Sequence, residues 1–184
     1  MSTTATVAPT GTWTVDPAHS RVGFAVKHLG IATVRGVFTE FEGSLEIGDD
    51  LESAKAYGTV KTASVNTNEP QRDDHLRNAD FFDAENYPEI TFESTKIEAI
   101  DEDSLKIIGN LTIKDTTNEV EFLAEVGGTE VDPWGNDRVG LEAVGKISRS
   151  DFGIKFNMAL GSGNVAVGDK VTLNLDISAV RATS

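Results

Sequence analysis

Apolar and polar residues alternate along most of this chain, and this period of two limits the possible folds more than any other feature. In the longest such stretch, an apolar residue or glycine occupies every second position from Leu105 to Ile113. Successive side chains of a β-strand point to opposite faces of a sheet, so the pattern predicts strands with one apolar and one polar face. After a short strand from Trp13 to Val15, it predicts eight principal strands, near residues 20–28, 34–47, 53–62, 89–99, 104–113, 118–127, 138–149 and 170–181.

Short polar turns join several of these strands. The turns at 48–50 and 101–104 carry glycine, aspartate and serine, which are typical of hairpins and predict antiparallel neighbours. Within 34–47 the apolar positions change phase near Thr39 and Glu40, which indicates a bulge or a sharp bend. Long bent strands, with glycines inside several of them, favour a closed barrel over a flat sandwich.

Two segments interrupt the alternation. Residues 69–82 concentrate charged, histidine and aromatic side chains, and capping candidates at 66–68 precede them. We predict a short helix there that covers or closes part of the barrel. A second, shorter helix is predicted near 154–160.

Composition excludes several classes of function. The chain carries 30 Asp and Glu against 16 Lys and Arg, a net charge of −14. This balance argues against nucleic-acid binding and against adsorption to an anionic membrane. The chain has no cysteine, so we expect no thiol chemistry. No apolar run is long enough to span a bilayer, so we expect no stable membrane insertion.

The N-terminal segment is polar and lacks the basic and apolar regions of a signal peptide. We therefore predict a disordered lead-in over 1–11, a single domain over 12–184 and, if this is the native start, a cytoplasmic location.

Small residues on the strand faces predicted to point inward bear on function. Ala54, Ala56 and Gly58 share one stripe, and Ala124 and Ala143 belong to others. An eight-stranded barrel is just wide enough to be filled by side chains or to hold one small ligand. The small residues favour a cavity, and the alternative is a packed core in which they complement large phenylalanines. The axial length of such a barrel suits a long thin tail.

The histidines do not form a recognisable metal or catalytic motif. His19, His28 and His75 have no helical pair spacing, so no metal site is expected. Asp16, His19 and Ser20 are too close in sequence to suggest a catalytic triad, which is recognised by spatial arrangement.

Several ordered motifs resemble those of the YceI-like family. The most specific is R-D-D-H-L-R at 72–77 followed by F-F-D at 81–83, and the others lie at 16–20, 22–29, 36–43, 87–92, 109–113, 148–153 and 167–171. The resemblance implies a lipocalin-like barrel with a hydrophobic tunnel for polyisoprenoids, quinone-type lipids or other long-chain amphiphiles. It also implies a homodimer and no general catalytic activity. The chain departs from the pattern at 115–117, where a glycine is usual, and in lacking the leader that many members carry.

These observations together predict an all-β, eight-stranded antiparallel lipocalin-like barrel with a short inserted helix. We expect it to sequester or carry a long-chain lipid or isoprenoid without turnover and without any other cofactor. The side chains expected to shield the tail are Phe24, Val26, Phe38, Phe81, Phe82, Phe92, Leu111, Ile113, Phe122 and Phe152. Those expected near a head group are His28, Arg72, His75 and Arg149.

Two other functions remain open from the sequence. One is an enzyme that acts on an amphiphile in the same pocket with His19 or His75 as general base. The other is a stress-response interaction module with an incidental lipid.

Overall fold

The structure, a computed structural model, describes residues 9–162 and 165–182. It contains one short helix, α1 (Pro70–Arg77), and antiparallel strands. The strands are β1 (Gly11–Val15), β2 (Arg21–His28), β3 (Ala32–Phe38), β4 (Phe41–Ile47), β5 (Lys55–Lys61), β6 (Val65–Asn66), β7 (Glu89–Ala99), β8 (Ser104–Ile113), β9 (Thr116–Val131), β10 (Asp137–Ser148) and β11 (Val167–Arg181).

The strands close into a barrel because β11 pairs with elements from both ends of the sheet. It pairs with β10 on one side, and on the other with β2 along most of its length and with β1 near its end. Three positions in the barrel are filled by broken strands, namely β1 with β2, β3 with β4, and β5 with β6. Counted this way, the barrel has eight antiparallel strands, which confirms the predicted fold.

The predicted strand 34–47 is divided in two. β3 ends at Phe38 and β4 begins at Phe41, with Thr39 and Glu40 between them. β3 pairs with β2, whereas β4 pairs with β1. The break between β3 and β4 therefore lies beside the break between β1 and β2 in the adjacent position of the barrel. The phase change in the sequence therefore marks the bend that the barrel requires.

Several strand glycines make room for phenylalanine rings. Gly36 is directly opposite Phe24, and a Cβ on it would overlap that ring. A Cβ on Gly145 would lie 2.9 Å from Cδ1 of Phe122, its partner on β9. Such pairs of an aromatic residue and a glycine set the register of neighbouring strands and let large rings lie flat against the sheet.

The helix α1 is shorter than predicted. It begins after Glu69, whose side chain accepts a hydrogen bond from the backbone N–H of Gln71, and Pro70 occupies the first helical position. The helix ends at Arg77, and residues 78–82 form turns. Phe82 nevertheless folds back, because its N–H donates to the carbonyl of Leu76 at 3.0 Å.

The prediction of a helix near 154–160 is wrong. A single turn of 3-10 helix lies earlier, at Arg149–Phe152, and Gly153 ends it with a φ of 78°. Residues 154–160 form no helix, and the side chain of Asn157 instead hydrogen-bonds both the N–H and the carbonyl of Val167. Tertiary pairing thus takes the place of helical hydrogen bonds in this segment.

The two ends of the barrel differ. One end, called the helix end below, is covered by α1, the 3-10 turn and the chain on either side of the undescribed residues 163–164. The other end holds a small core cluster of Trp13, Val139 and Ala179, all nearly inaccessible to solvent. Strand β1 already begins at Gly11, and residues 1–8 of the predicted lead-in lie outside the described residues. No helix in the described part of the chain is long and apolar enough to cross a membrane.

Candidate functional site: an apolar cavity in the barrel

A cavity of about 260 Å³ lies inside the barrel. Its wall is formed almost entirely by apolar side chains from the inner faces of the strands, with Leu76, Phe81 and Phe82 closing it from the side of α1. Ten of the side chains predicted from the sequence line it, namely Phe24, Val26, Phe38, Phe81, Phe82, Phe92, Leu111, Ile113, Phe122 and Arg149.

Small residues create the space. Gly58 on β5 is opposite Phe92 on β7, so both belong to the inner face, and Ala56 lies two positions away on the same face. A Cβ on Gly58 would meet nothing closer than the carbonyl oxygen of Glu42, 4.0 Å away. Side chains therefore leave this part of the interior unfilled.

Strand β11 contributes inner residues that the sequence analysis did not assign to the site, as do other strands, for example Leu45 on β4 and Ile107 on β8. Val171, Leu173 and Leu175 point inward and line the cavity, yet each is only half buried. Inward-facing apolar side chains in a filled core would be fully buried. The strict alternation of β11 was visible in the sequence, but which of its faces pointed inward depended on the pairing of Leu173 with Phe24.

Arg149 is the one cation of the cavity wall among the described residues. Its side chain is buried, and its guanidinium donates to the carbonyls of Gly168 at 2.8 Å, Ile154 at 3.0 Å and Val167 at 3.1 Å. Burial lowers the pKa of Arg149 and nearby Asp169 opposes this effect, but a guanidinium stays protonated in proteins. Arg149 therefore holds Ile154, near the start of the segment between β10 and β11, beside Val167 and Gly168 at its end. It also places a positive charge at the cavity wall.

Arg72 does not line the cavity. Its Nε donates to Oγ1 of Thr67 at 2.7 Å, and its Nη2 donates to the carbonyl of Thr67 at 2.8 Å. Buried Asp73 accepts from both the N–H and the hydroxyl of the same threonine. These bonds attach α1 to the chain just after β6.

His28, His75 and Phe152 also lie outside the cavity wall. His28 is exposed at the end of β2. His75 packs edge-on against Phe81 and Phe156 at 4.9 Å between ring centroids, and its Nε2 lies 2.9 Å from Oδ2 of Asp80. Phe152 is 2% exposed and belongs to the packed core at the helix end.

The third histidine is on the opposite side of the fold. His19 follows β1, where its Nδ1 lies 2.8 Å from Oδ2 of Asp16, while Ser20 bonds the backbone of Ser178 instead. The three histidines are thus dispersed. Among residues 9–162 and 165–182, no three potential metal ligands are grouped together.

Comparison with known proteins identifies the family. Residues 13–179 match the family model of the YceI-like domain. The chain is 40% identical over 148 residues to protein YceI of Escherichia coli, covering 80% of this chain and 77% of that one. The crystal structure of the Campylobacter jejuni YceI protein superposes with a TM-score of 0.72 at 34% identity, over 85% of this chain and 90% of that one.

A more distant structure has the same fold. It is a polyisoprenoid-binding domain from Saccharophagus degradans, with a TM-score of 0.70 at 14% identity over 92% of this chain and 98% of that one. At this identity the likeness concerns the fold alone. The match over nearly the whole sequence, with the barrel described above, shows that this chain belongs to the YceI-like family.

Proposed function

We propose that this protein binds the tail of a long-chain hydrophobic ligand, such as a polyisoprenoid or an isoprenoid quinone, inside the barrel and carries or sequesters it unchanged. The observation that carries this proposal is the cavity, in which half-buried leucines and valines face one another across unfilled space. Exposed apolar surface inside a folded protein is unfavourable unless a ligand covers it, and ligand sites in proteins are typically apolar hollows of this kind.

The size of the cavity limits what it holds without rearrangement. An apolar cavity of about 150 Å³ accommodates benzene, so about 260 Å³ corresponds to roughly ten carbon atoms. Burial of ten methylene groups contributes about 8 kcal/mol, which corresponds to micromolar affinity before the costs of association. A longer tail displaces side chains at the wall, and we expect half-buried Phe82 and Leu76 to move first.

The family relationship supports a hydrophobic ligand. The barrel of the Saccharophagus degradans domain, which is described as polyisoprenoid-binding, has the same architecture as this chain. The polar end of the ligand would meet Arg149, the cation of the cavity wall, through the N–H groups that its three carbonyl bonds leave free.

Binding without turnover agrees better with the wall than catalysis does. Among the described residues that line the cavity there is no histidine, and the polar ones are Glu42, Ser44, Tyr57, Thr59, Thr91 and Arg149. His19 and His75, the bases that an enzyme would use, both lie elsewhere. A cytoplasmic location and a homodimer stay predictions, which cell fractionation and analytical ultracentrifugation test directly.

The experiment is a calorimetric titration of delipidated protein with prenyl alcohols of one to four isoprene units. We expect affinity to rise about fourfold for each added methylene equivalent until about ten carbons are bound, and more slowly beyond. Affinity independent of chain length would contradict binding of the tail in the cavity.

A further inference from the structure

Two long segments of this otherwise acidic chain contain no Asp or Glu. The chain has 30 Asp and Glu, yet none occurs between Asp16 and Glu40 or between Asp151 and Asp169. The fold brings these segments together at the helix end. His28 pairs with Val167, and the N–H of Leu29 donates to the carbonyl of Ala166 at 2.9 Å.

Exposed apolar side chains occupy this junction. Ile31 is 82% exposed at the turn between β2 and β3, and Met158 and Val165 are 61% and 44% exposed. The N–H of Ala166 donates to the carbonyl of Met158 at 2.9 Å, so the chain around Met158 lies directly beside the chain that follows Val165. Large apolar side chains grouped on a surface in this way indicate an interaction site.

Cations flank these apolar side chains along the chain, since Lys27 and Arg35 lie four residues before and after Ile31 and Lys155 lies three residues before Met158. Lys27, Arg35 and Lys155 are all exposed, and within residues 9–162 and 165–182 none of them enters an ion pair. Asp74 on α1 and Asp80 after it are engaged by Arg77 and His75, and Asp169, which ends the second segment, accepts a hydrogen bond from the N–H of Ser150 at 3.0 Å. We call the six residues Lys27, Ile31, Arg35, Lys155, Met158 and Val165 the acid-free surface.

The acid-free surface adjoins the cavity. Ile154 and Val167 belong to the second acid-free segment and line the cavity wall, and Arg149 holds both through their carbonyls. A molecule bound at this surface therefore meets the protein beside the helix end of the cavity.

We propose that the acid-free surface docks reversibly on an anionic lipid bilayer. Exposed apolar side chains flanked by Lys and Arg match the interface of such a bilayer, where the apolar groups enter the acyl boundary and the cations meet the headgroups. The choice of a bilayer rests on the proposed function, because a bilayer is the phase in which a long-chain hydrophobic ligand resides.

The net charge of −14 does not oppose this docking at physiological salt, although it argued against adsorption of the chain as a whole. Electrostatic effects fade over a Debye length, about 8 Å at 0.15 M salt, so acids farther than this from the headgroups are screened from the membrane.

Co-sedimentation with vesicles tests the proposal. The protein is mixed at about 0.15 M salt with two kinds of vesicle. One is phosphatidylcholine alone, and the other is phosphatidylcholine with about one third phosphatidylglycerol. We expect binding to the anionic vesicles, weakened about fivefold for each cation removed in a Lys27→Gln/Lys155→Gln variant. An Ile31→Ser/Met158→Ser variant should lose binding at least as strongly.

The hairpin between β9 and β10 provides a matched control. Val131 and Trp134 are 57% and 79% exposed there, but Glu130, Asp132 and Asp137 surround them. A Val131→Ser/Trp134→Ser variant should bind vesicles as the wild type does, and an equal loss in this variant would overturn the proposal. A wild type that does not sediment with anionic vesicles would overturn it too.

Two further measurements separate the alternatives. If the wild type is a dimer that Ile31→Ser/Met158→Ser dissociates, the surface joins two copies of this chain and the proposal is wrong. A Gly58→Leu variant, which fills part of the cavity, should still bind vesicles. Docking and the proposed ligand site can thus fail independently.

Discussion

Filling part of the cavity should stabilise the protein and weaken its affinity for ligand at the same time. Gly58 is the position for this test, because it faces inward and its nearest neighbour to a new Cβ is 4.0 Å away. Its φ is outside the left-handed region, so a leucine fits the backbone without strain.

The magnitude follows from burial. A buried leucine side chain contributes about 1.5–3 kcal/mol, and removal of glycine from a strand interior adds about 0.5–1 kcal/mol. Gly58→Leu should therefore raise the free energy of unfolding of the delipidated protein by about 3 kcal/mol, or Tm by roughly 6–12 °C. The four added carbons occupy space for about 3 kcal/mol of ligand burial, so a ten-carbon ligand should bind about 100-fold more weakly.

Urea unfolding and calorimetric titration of the delipidated variants measure both effects. Gly140→Leu is the matched control, because a Cβ there is also 4.0 Å from its nearest neighbour, the carbonyl of Ile177, but points outward between inward-facing Val139 and Leu141. The control should bind ligand normally and gain little stability. A Gly58→Leu protein that is destabilised, or that binds like the wild type, would refute the reasoning.

Three other substitutions test parts of the fold. Arg149→Met leaves three carbonyls without a donor and should cost about 3 kcal/mol or more, with faster amide exchange at Ile154 in hydrogen-exchange mass spectrometry. Trp13→Ala should cost about 3–5 kcal/mol in urea unfolding but change ligand affinity less than about threefold, because Trp13 packs in the separate cluster at the far end. Arg138→Leu should lower Tm at pH 7, because hydrogen bonds from Arg138 and then His19 lower the pKa of Asp16 to about 2. A backbone hydrogen bond from Asn136, with a side-chain bond from Arg138, lowers the pKa of Asp132 to about 2 as well. Both contributions are complete above the ordinary pKa of 3.8 and are lost as pH falls towards 2, so melting curves of variant and wild type should converge over that range.

The strands could be predicted from the sequence because their alternation is local and strict. The stripe from 104 to 113 became β8 without revision, and the phase change at Thr39 located the bend between β3 and β4. The segment near 154–160 could not be predicted, since its conformation depends on hydrogen bonds between Asn157 and Val167, ten residues further along the chain. Only tertiary structure brings those two together.

The residues of the candidate site also differ in how well the sequence predicted them. Aromatic residues at inward positions, such as Phe24 and Phe92, were predicted to line the cavity and do so. The polar residues were harder, because charge alone does not show whether a side chain faces a ligand or bonds the backbone. Arg72 bonds Thr67, whereas Arg149 bonds three carbonyls and also reaches the cavity wall.

Mass spectrometry of the purified protein tests the central claim most directly. Native spectra of the intact wild type, read beside the organic extract of the same sample, should show one long-chain hydrophobic molecule per barrel. That molecule should be missing from Gly58→Leu and present in Gly140→Leu. A wild type that is empty as purified and stays empty after incubation with polyprenols, quinones and fatty amides would contradict the proposal that this barrel holds a lipid tail.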